Sequence, residues 1–208
     1  VFLAGALVFN PIKDVVLLED PIEKSAVLLV DEFAGKNGIY LEVSTQDKLY
    51  YNLAEDFFVN RRKRISNEPC EIVNVQKLLE TDKVLNMRFI LTNDRYKTAF
   101  NELKEKLTDQ LNFQIGYPHD EQIEVVNMTS LEVSKVSALR HLCQYLKISP
   151  EETLAIGDSP IDLPLIENVG LGIAMGNAKD EVKIKAREVT ASVDNDGVAV
   201  ALEKYVLG

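Results

Sequence analysis

The chain has 208 residues, 46% of them hydrophobic and 27% charged. That balance suits a folded protein with a sizeable core in one large domain or two small ones. A formal net charge of −10 argues against a nucleic-acid partner, because phosphate backbones need basic surface, and it does not favour an anionic membrane. The two cysteines, Cys70 and Cys143, stand in unrelated contexts without metal-ligand spacing. No disulfide framework follows from them, and a reducing, cytoplasmic setting is expected.

Residues 1–9 form an apolar run that is far too short for a bilayer span and lacks the positive start of a signal peptide. It is expected to be a buried strand. A short strand at 15–18 follows, then a helix from Pro21 to about Gly35 with Ala26, Leu29, Val30 and Phe33 at helical spacing. Residues 39–45 and 48–52 alternate around Gln46-Asp47 and predict a β-hairpin. A helix over 54–66 carries Arg61-Arg62-Lys63-Arg64, expected to be a solvated face rather than a phosphate patch. Further along come a helix near 73–80, a strand at 86–92 and an amphipathic helix to Leu111 that Asn93 and Asp94 can cap. Strands at 112–115 and 122–127 complete a compact α+β stretch. From Lys135 onward the order becomes helix, strand, helix, strand: helices near 135–146, 163–168, 178–187 and 198–207 alternate with strands at 153–156, 171–175 and 189–193. This is the mark of an α/β fold with a parallel sheet.

The chemistry-bearing stretch is Gly157-Asp158-Ser159-Pro160-Ile161-Asp162, directly after the strand at 153–156. Functional groups in open α/β sheets gather beyond the carboxyl ends of strands. Two carboxylates there suit a hard divalent cation, which takes oxygen ligands; the alternative is that Asp158 and Ser159 only cap a helix. Lys135 could neutralise a transferring phosphoryl group while the carboxylates hold Mg²⁺, a division of labour that suits phosphoryl transfer. Asn177 is either a ligand-loop residue or a helix N-cap, and the strong preference of Asn for that position favours the cap. His141 is expected to be structural and His119 to lie in a loop. Asp194-Asn195-Asp196-Gly197 is expected to be a turn entering a helix.

Taken together, Glu132-Val-Ser-Lys135, Ala138-Leu139, Gly157–Asp162, Ala174-Met-Gly-Asn-Ala178 and Asp196-Gly-Val-Ala199 resemble the haloacid-dehalogenase (HAD) superfamily of phosphatases, and more narrowly its Cof-type subfamily with an α/β cap. The resemblance implies a Rossmann-like core carrying an inserted α+β cap, with residues 1–20 and 119–208 as core and 21–118 as cap. It implies a Mg²⁺-dependent phosphatase of small phosphorylated metabolites such as sugar phosphates, acting through an aspartyl-phosphate. Lys135 would hold phosphate and nucleophile, Asp158 and Asp162 would bind Mg²⁺, and Ser159 and Asn177 would line the phosphate loop. Ile161 and Ala4 both stand where the family commonly has Asn.

The family's nucleophile motif, Asp-x-Asp-Gly-Thr, is not found in these residues. The resemblance therefore implies a truncated core, inactive alone, whose sheet is completed by an upstream segment or a second chain. The alternative is a catalytically inactive HAD-fold binding or interaction module. A different Mg²⁺-binding Rossmann-like protein would follow if Asp158 and Asp162 proved to be far apart.

Overall fold

The two faces of the strand Asn86–Leu91 organise the first part of the chain. Met87, Phe89 and Leu91 are completely buried in the largest apolar cluster, while Ile90 belongs to a separate cluster. Successive strand residues face opposite sides of a sheet, so Asn86, Arg88 and Ile90 share the second face. The computed structural model describes residues 1–65, 70–117 and 122–208; His119 lies outside them. The described chain divides into two units, Val1–Val133 and Ser134–Gly208.

The first unit contains strands β1 (Leu7–Asn10), β2 (Val15–Glu19), β3 (Leu41–Ser44), β4 (Leu49–Tyr51), β5 (Cys70–Ile72), β6 (Asn86–Leu91), β7 (Leu111–Gly116) and β8 (Glu124–Ser130). Helices α1 (Lys24–Asn37), α2 (Asp56–Ile65), α3 (Val75–Thr81) and α4 (Asp94–Leu107) join them. Six strands form one sheet in the order β5-β4-β3-β6-β8-β7. Val30 of α1, Leu78 of α3 and Phe100 of α4 share a core with Leu41, Val43, Phe89 and Met128 of the strands. Each such large side chain contributes roughly 1.5–3 kcal/mol on burial. On the second face the rings of Tyr40 and Phe58, the latter from α2, stack 4.0 Å apart between centroids.

Helix ends follow the expected chemistry. Asn93 Oδ1 accepts from Tyr96 N at 3.0 Å and starts α4. Gly38, at φ 67°, closes α1 in the left-handed conformation that glycine adopts most easily. The expected hairpin is β3–β4, paired antiparallel through Ser44 and Leu49. β5 was not expected; it pairs in parallel with β4, which the intervening helix α2 makes possible. Among the described side chains the basic run of α2 is not a uniformly solvated face: Arg61 is buried, Arg62 half-buried and Arg64 exposed.

One further expectation is corrected. The opening run is not one strand over 1–9: Leu3–Gly5 make a 3-10 turn in which Leu3, Ala4 and Gly5 have φ of 50°, 60° and 111°. Only from Leu7 is the chain extended, and β1 pairs antiparallel with β2 in a two-stranded ribbon. Asn10 Oδ1 shapes the ribbon's turn by accepting from the backbone N–H groups of Ile12 and Lys13. β8 is hydrogen-bonded between β6 and β7, so the chain leaves this sheet only after Ser130, and the first unit takes in residues 1–20 as well.

The second unit has helices α5 (Lys135–Leu146), α6 (Leu163–Ile166), α7 (Asp180–Lys185) and α8 (Gly197–Leu202), and strands β9 (Leu154–Gly157), β10 (Leu171–Ala174) and β11 (Glu188–Val189). The strands are parallel in the order β11-β10-β9. Ile166, Ala174, Met175 and Val182 pack together between the sheet and its helices. β9 is an edge: among the described residues no strand pairs with its other side. Among those residues, too, no helix is long and apolar enough to cross a membrane.

Ala4 is held at φ 60°, where a Cβ is unfavourable and Asn is better tolerated than most residues. Ala4→Asn is therefore expected to raise stability by about 0.5–1 kcal/mol, on the scale of the left-handed penalty. Urea unfolding of the two proteins checks this; a lower midpoint for the variant would contradict the strain argument.

Candidate functional site

The acidic loop begins where β9 ends. Gly157 is the last residue of the strand and is buried. Ser159 then opens a 3-10 turn, Pro160–Asp162, by accepting from Ile161 N at 3.2 Å through its Oγ. Asp162 N donates to Ser159 O at 2.9 Å, so the turn folds Asp162 back toward the strand end. The close fit is specific: a methyl group added at Gly157 would stand 2.5 Å from Asp162 Cβ and 3.1 Å from its Oδ2. The missing side chain at position 157 is thus the space that the Asp162 carboxylate occupies.

Lys135 reaches the same place from α5. Its Nζ donates to Asp162 Oδ1 at 2.5 Å, with the two side chains 34% and 17% exposed. The pair is only part-exposed, and so less screened than a typical surface ion pair. Lys135 is the first residue of its helix, following Ser134, whose hydroxyl forms a reciprocal capping box with Ser137. A cation at a helix N-terminus opposes the helix dipole. Asp162 offsets that, and the pair leaves a positive group fixed beside a carboxylate at the sheet edge. Local rules are broken in this way mainly where function requires it.

The structure brings Lys135 onto Asp162 and sets Asp158, half-buried, one residue beyond β9. Ser159 acts as the cap of the 3-10 turn, as one reading of the sequence had it, whereas Asp158 caps no helix. Asn177 is neither a helix cap nor joined to the acids by a hydrogen bond. Its Oδ1 accepts from Val193 N at 2.9 Å, tying the loop after β10 to the turn Val193–Asn195, while α7 starts after Lys179 with no side-chain cap. Asp194 and Asp196 are exposed in that turn, with Asp196 at φ 52° just before α8. His141 is half-buried on α5 and Cys143 is buried and free.

Mg²⁺ prefers near-octahedral coordination by oxygen. Asp158 and Asp162 are the right kind of donor, but one oxygen of Asp162 is already held by Lys135. Among the described residues no group of three or more His, Cys, Asp or Glu side chains could hold a metal. These acids fit the ion in chemistry and fall short of it in number.

A family model described as haloacid dehalogenase-like hydrolase matches residues 1–202. Phosphatase YwpJ of Bacillus subtilis is 36% identical over 135 residues, 62% of this chain and 44% of the relative. A haloacid dehalogenase-like hydrolase from Bacteroides thetaiotaomicron superimposes with a TM-score of 0.82 at 23% identity, covering 97% of this chain and 74% of that one. A HAD subclass IIB sugar phosphatase gives a TM-score of 0.77 at 20% identity, with 97% and 73% coverage. The fold is therefore the expected one, a HAD-like α/β architecture with a cap. Across three curated relatives the chain spans 37% to 44% of their length.

Gly157→Ala tests the contact on which this site rests. Overpacking against Asp162 is expected to lower stability by about 1–3 kcal/mol, read by chemical denaturation. A variant as stable as the parent would mean that Asp162 can leave Gly157 freely.

Proposed function

Because the chain belongs to the haloacid dehalogenase-like hydrolase family, we propose that its second unit carries the lysine and the metal-side acids of a Mg²⁺-dependent phosphatase of small phosphorylated metabolites. The observation that carries this reading is the contact of Lys135 with Asp162 at the carboxyl end of β9. There Lys135 offsets charge on the transferring phosphoryl group, and Asp158 and Asp162 supply part of an oxygen shell for the ion. Stabilisation of developing charge by fixed groups is a large term in such reactions. The remaining donors, and the carboxylate that attacks phosphorus, come in this reading from a segment preceding Val1 or from a second chain that also pairs with the free edge of β9. Such a carboxylate would take the phosphoryl group as an aspartyl-phosphate, which water then hydrolyses. Sugar phosphates are the substrate class in view, and the cytoplasm the compartment.

The test is Mg²⁺-dependent phosphate release from 4-nitrophenyl phosphate. The 208-residue chain alone is expected to be inactive, and a longer polypeptide carrying an upstream Asp-x-Asp-Gly-Thr segment active. In the longer protein Lys135→Ala and Asp158→Asn should each lower kcat by about 10²–10³-fold, the scale of losing one fixed charge-stabilising group. Full activity in either variant would overturn the assignment. An inactive longer protein would favour a binding module that keeps the fold without the chemistry.

A further inference from the structure

The two acids of the loop after β9 are not equally placed. Asp162 is held on both sides. Its Oδ2 is turned toward the strand end, where a methyl group on Gly157 would meet it at 3.1 Å, and its Oδ1 accepts from Lys135 Nζ at 2.5 Å. The outward oxygen of Asp162 is therefore the one that the ammonium covers. Asp158 is half-buried, and its carboxylate makes no hydrogen bond or ion pair among the described residues. Among those residues Asp162 is the only ion-pair partner of Lys135.

A lysine ammonium and a divalent ion compete for that oxygen. Hard divalent ions bind carboxylate oxygen directly, so an ion shared by Asp158 and Asp162 needs the outward oxygen that Lys135 holds. Two positive groups at such short range also repel each other. With Lys135 in place, the charge of Asp162 is matched and that of Asp158 is not. Take Lys135 away, and two unmatched carboxylates remain at one strand end. Burying a carboxylate without a partner is costly, so the ammonium both satisfies Asp162 and lowers the pull of the loop on a divalent ion. Only the lysine side chain has to move for this to change. Gly157 keeps Asp162 in place, and the capping box of Ser134 and Ser137 fixes the start of α5.

We infer that Lys135 is the resident cation of this loop: its ammonium closes Asp162 to divalent ions, and its displacement from Asp162 is what frees it to meet an anion. This rests on the reading of Asp158 and Asp162 as metal-side acids and adds to it a regulation by exchange of cations. Divalent-ion binding and anion binding become coupled through one side chain, and such coupling is reciprocal. An oxyanion that draws Lys135 away opens Asp162, just as an ion at Asp162 releases Lys135.

Binding of Mn²⁺ to the full 208-residue chain, followed through the electron paramagnetic resonance signal of the free ion, tests this without any need for activity. Mn²⁺ serves as the probe because carboxylate oxygen suits it as it suits Mg²⁺. Lys135→Met removes the charge and is expected to bind Mn²⁺ about tenfold tighter than the parent, or more, since a repelling cation is lost and a carboxylate is freed. Lys135→Arg keeps the charge and should stay within about threefold of the parent. Adding Asp158→Asn to Lys135→Met should abolish the gain. Equal or weaker affinity in Lys135→Met, with Asp158→Asn weakening binding in both backgrounds, would overturn the inference and leave the acids as metal ligands. Absence of Mn²⁺ binding in every protein, or a gain that survives Asp158→Asn, would overturn it together with that reading of the acids. A second measurement needs no substitution. In the parent, Mg²⁺ should release the Lys135 ammonium from its hydrogen bond, read by ¹⁵N nuclear magnetic resonance of the lysine side chains. A Lys135 signal unchanged by bound Mg²⁺ would overturn the inference.

Discussion

The candidate active site depends on a steric vacancy. Asp162 can fold back onto the end of β9 only because Gly157 has no side chain, the hypothetical methyl lying 2.5 Å from Asp162 Cβ. Once the carboxylate sits there, Lys135 can meet it from the first turn of α5, against the preference of the helix dipole. Strand, 3-10 turn and helix are thereby fixed by one contact. Ser159 supports it by capping the turn that returns Asp162. The spacing of Gly157, Ser159 and Asp162 is thus one geometric device, and each residue type is required for a different reason.

The first unit depends on a different constraint, the two-sidedness of its central strands. Leu41 and Val43 of β3, Phe89 of β6, and Val126 and Met128 of β8 all enter the core beneath α1, α3 and α4. The residues between them, Glu42, Arg88 and Asn127, form a row of hydrogen bonds on the other face. A polar row flanked by Ile90 and Phe58 in one cluster and by Ala6, Leu7 and Leu85 in another is costly to desolvate. Its members are mostly paired, and the unpaired ones cluster at Asn86 and Thr129.

Much of this was legible in the sequence because it is encoded locally. Apolar period located α1, α4 and α5, end signals helped for α1 and α4, and alternation located the β3–β4 hairpin. Lys135 and Asp162 do meet. What escaped was set by distant partners. β5 is three residues long and exists through its pairing with β4. Asn177 bonds to Val193, sixteen residues away, a contact that no local preference predicts. The row of Glu42, Arg88 and Asn127 becomes visible only once the register of three strands is known. The turn at Leu3–Gly5 has positive φ at two non-glycine residues, which sequence preferences disfavour.

The free side of β9 has a consequence for handling the polypeptide. A strand edge presents unpaired amide and carbonyl groups at regular spacing, a template that another extended segment can adopt. β9 has neither a proline nor a charged residue within its four positions, Leu154–Gly157. The same unit exposes Ile184, Val206 and Leu207, which are 79%, 59% and 75% accessible. Colloidal behaviour in concentrated solution is therefore governed by a competition: the net charge of −10 keeps molecules apart, while this edge and these side chains favour their association.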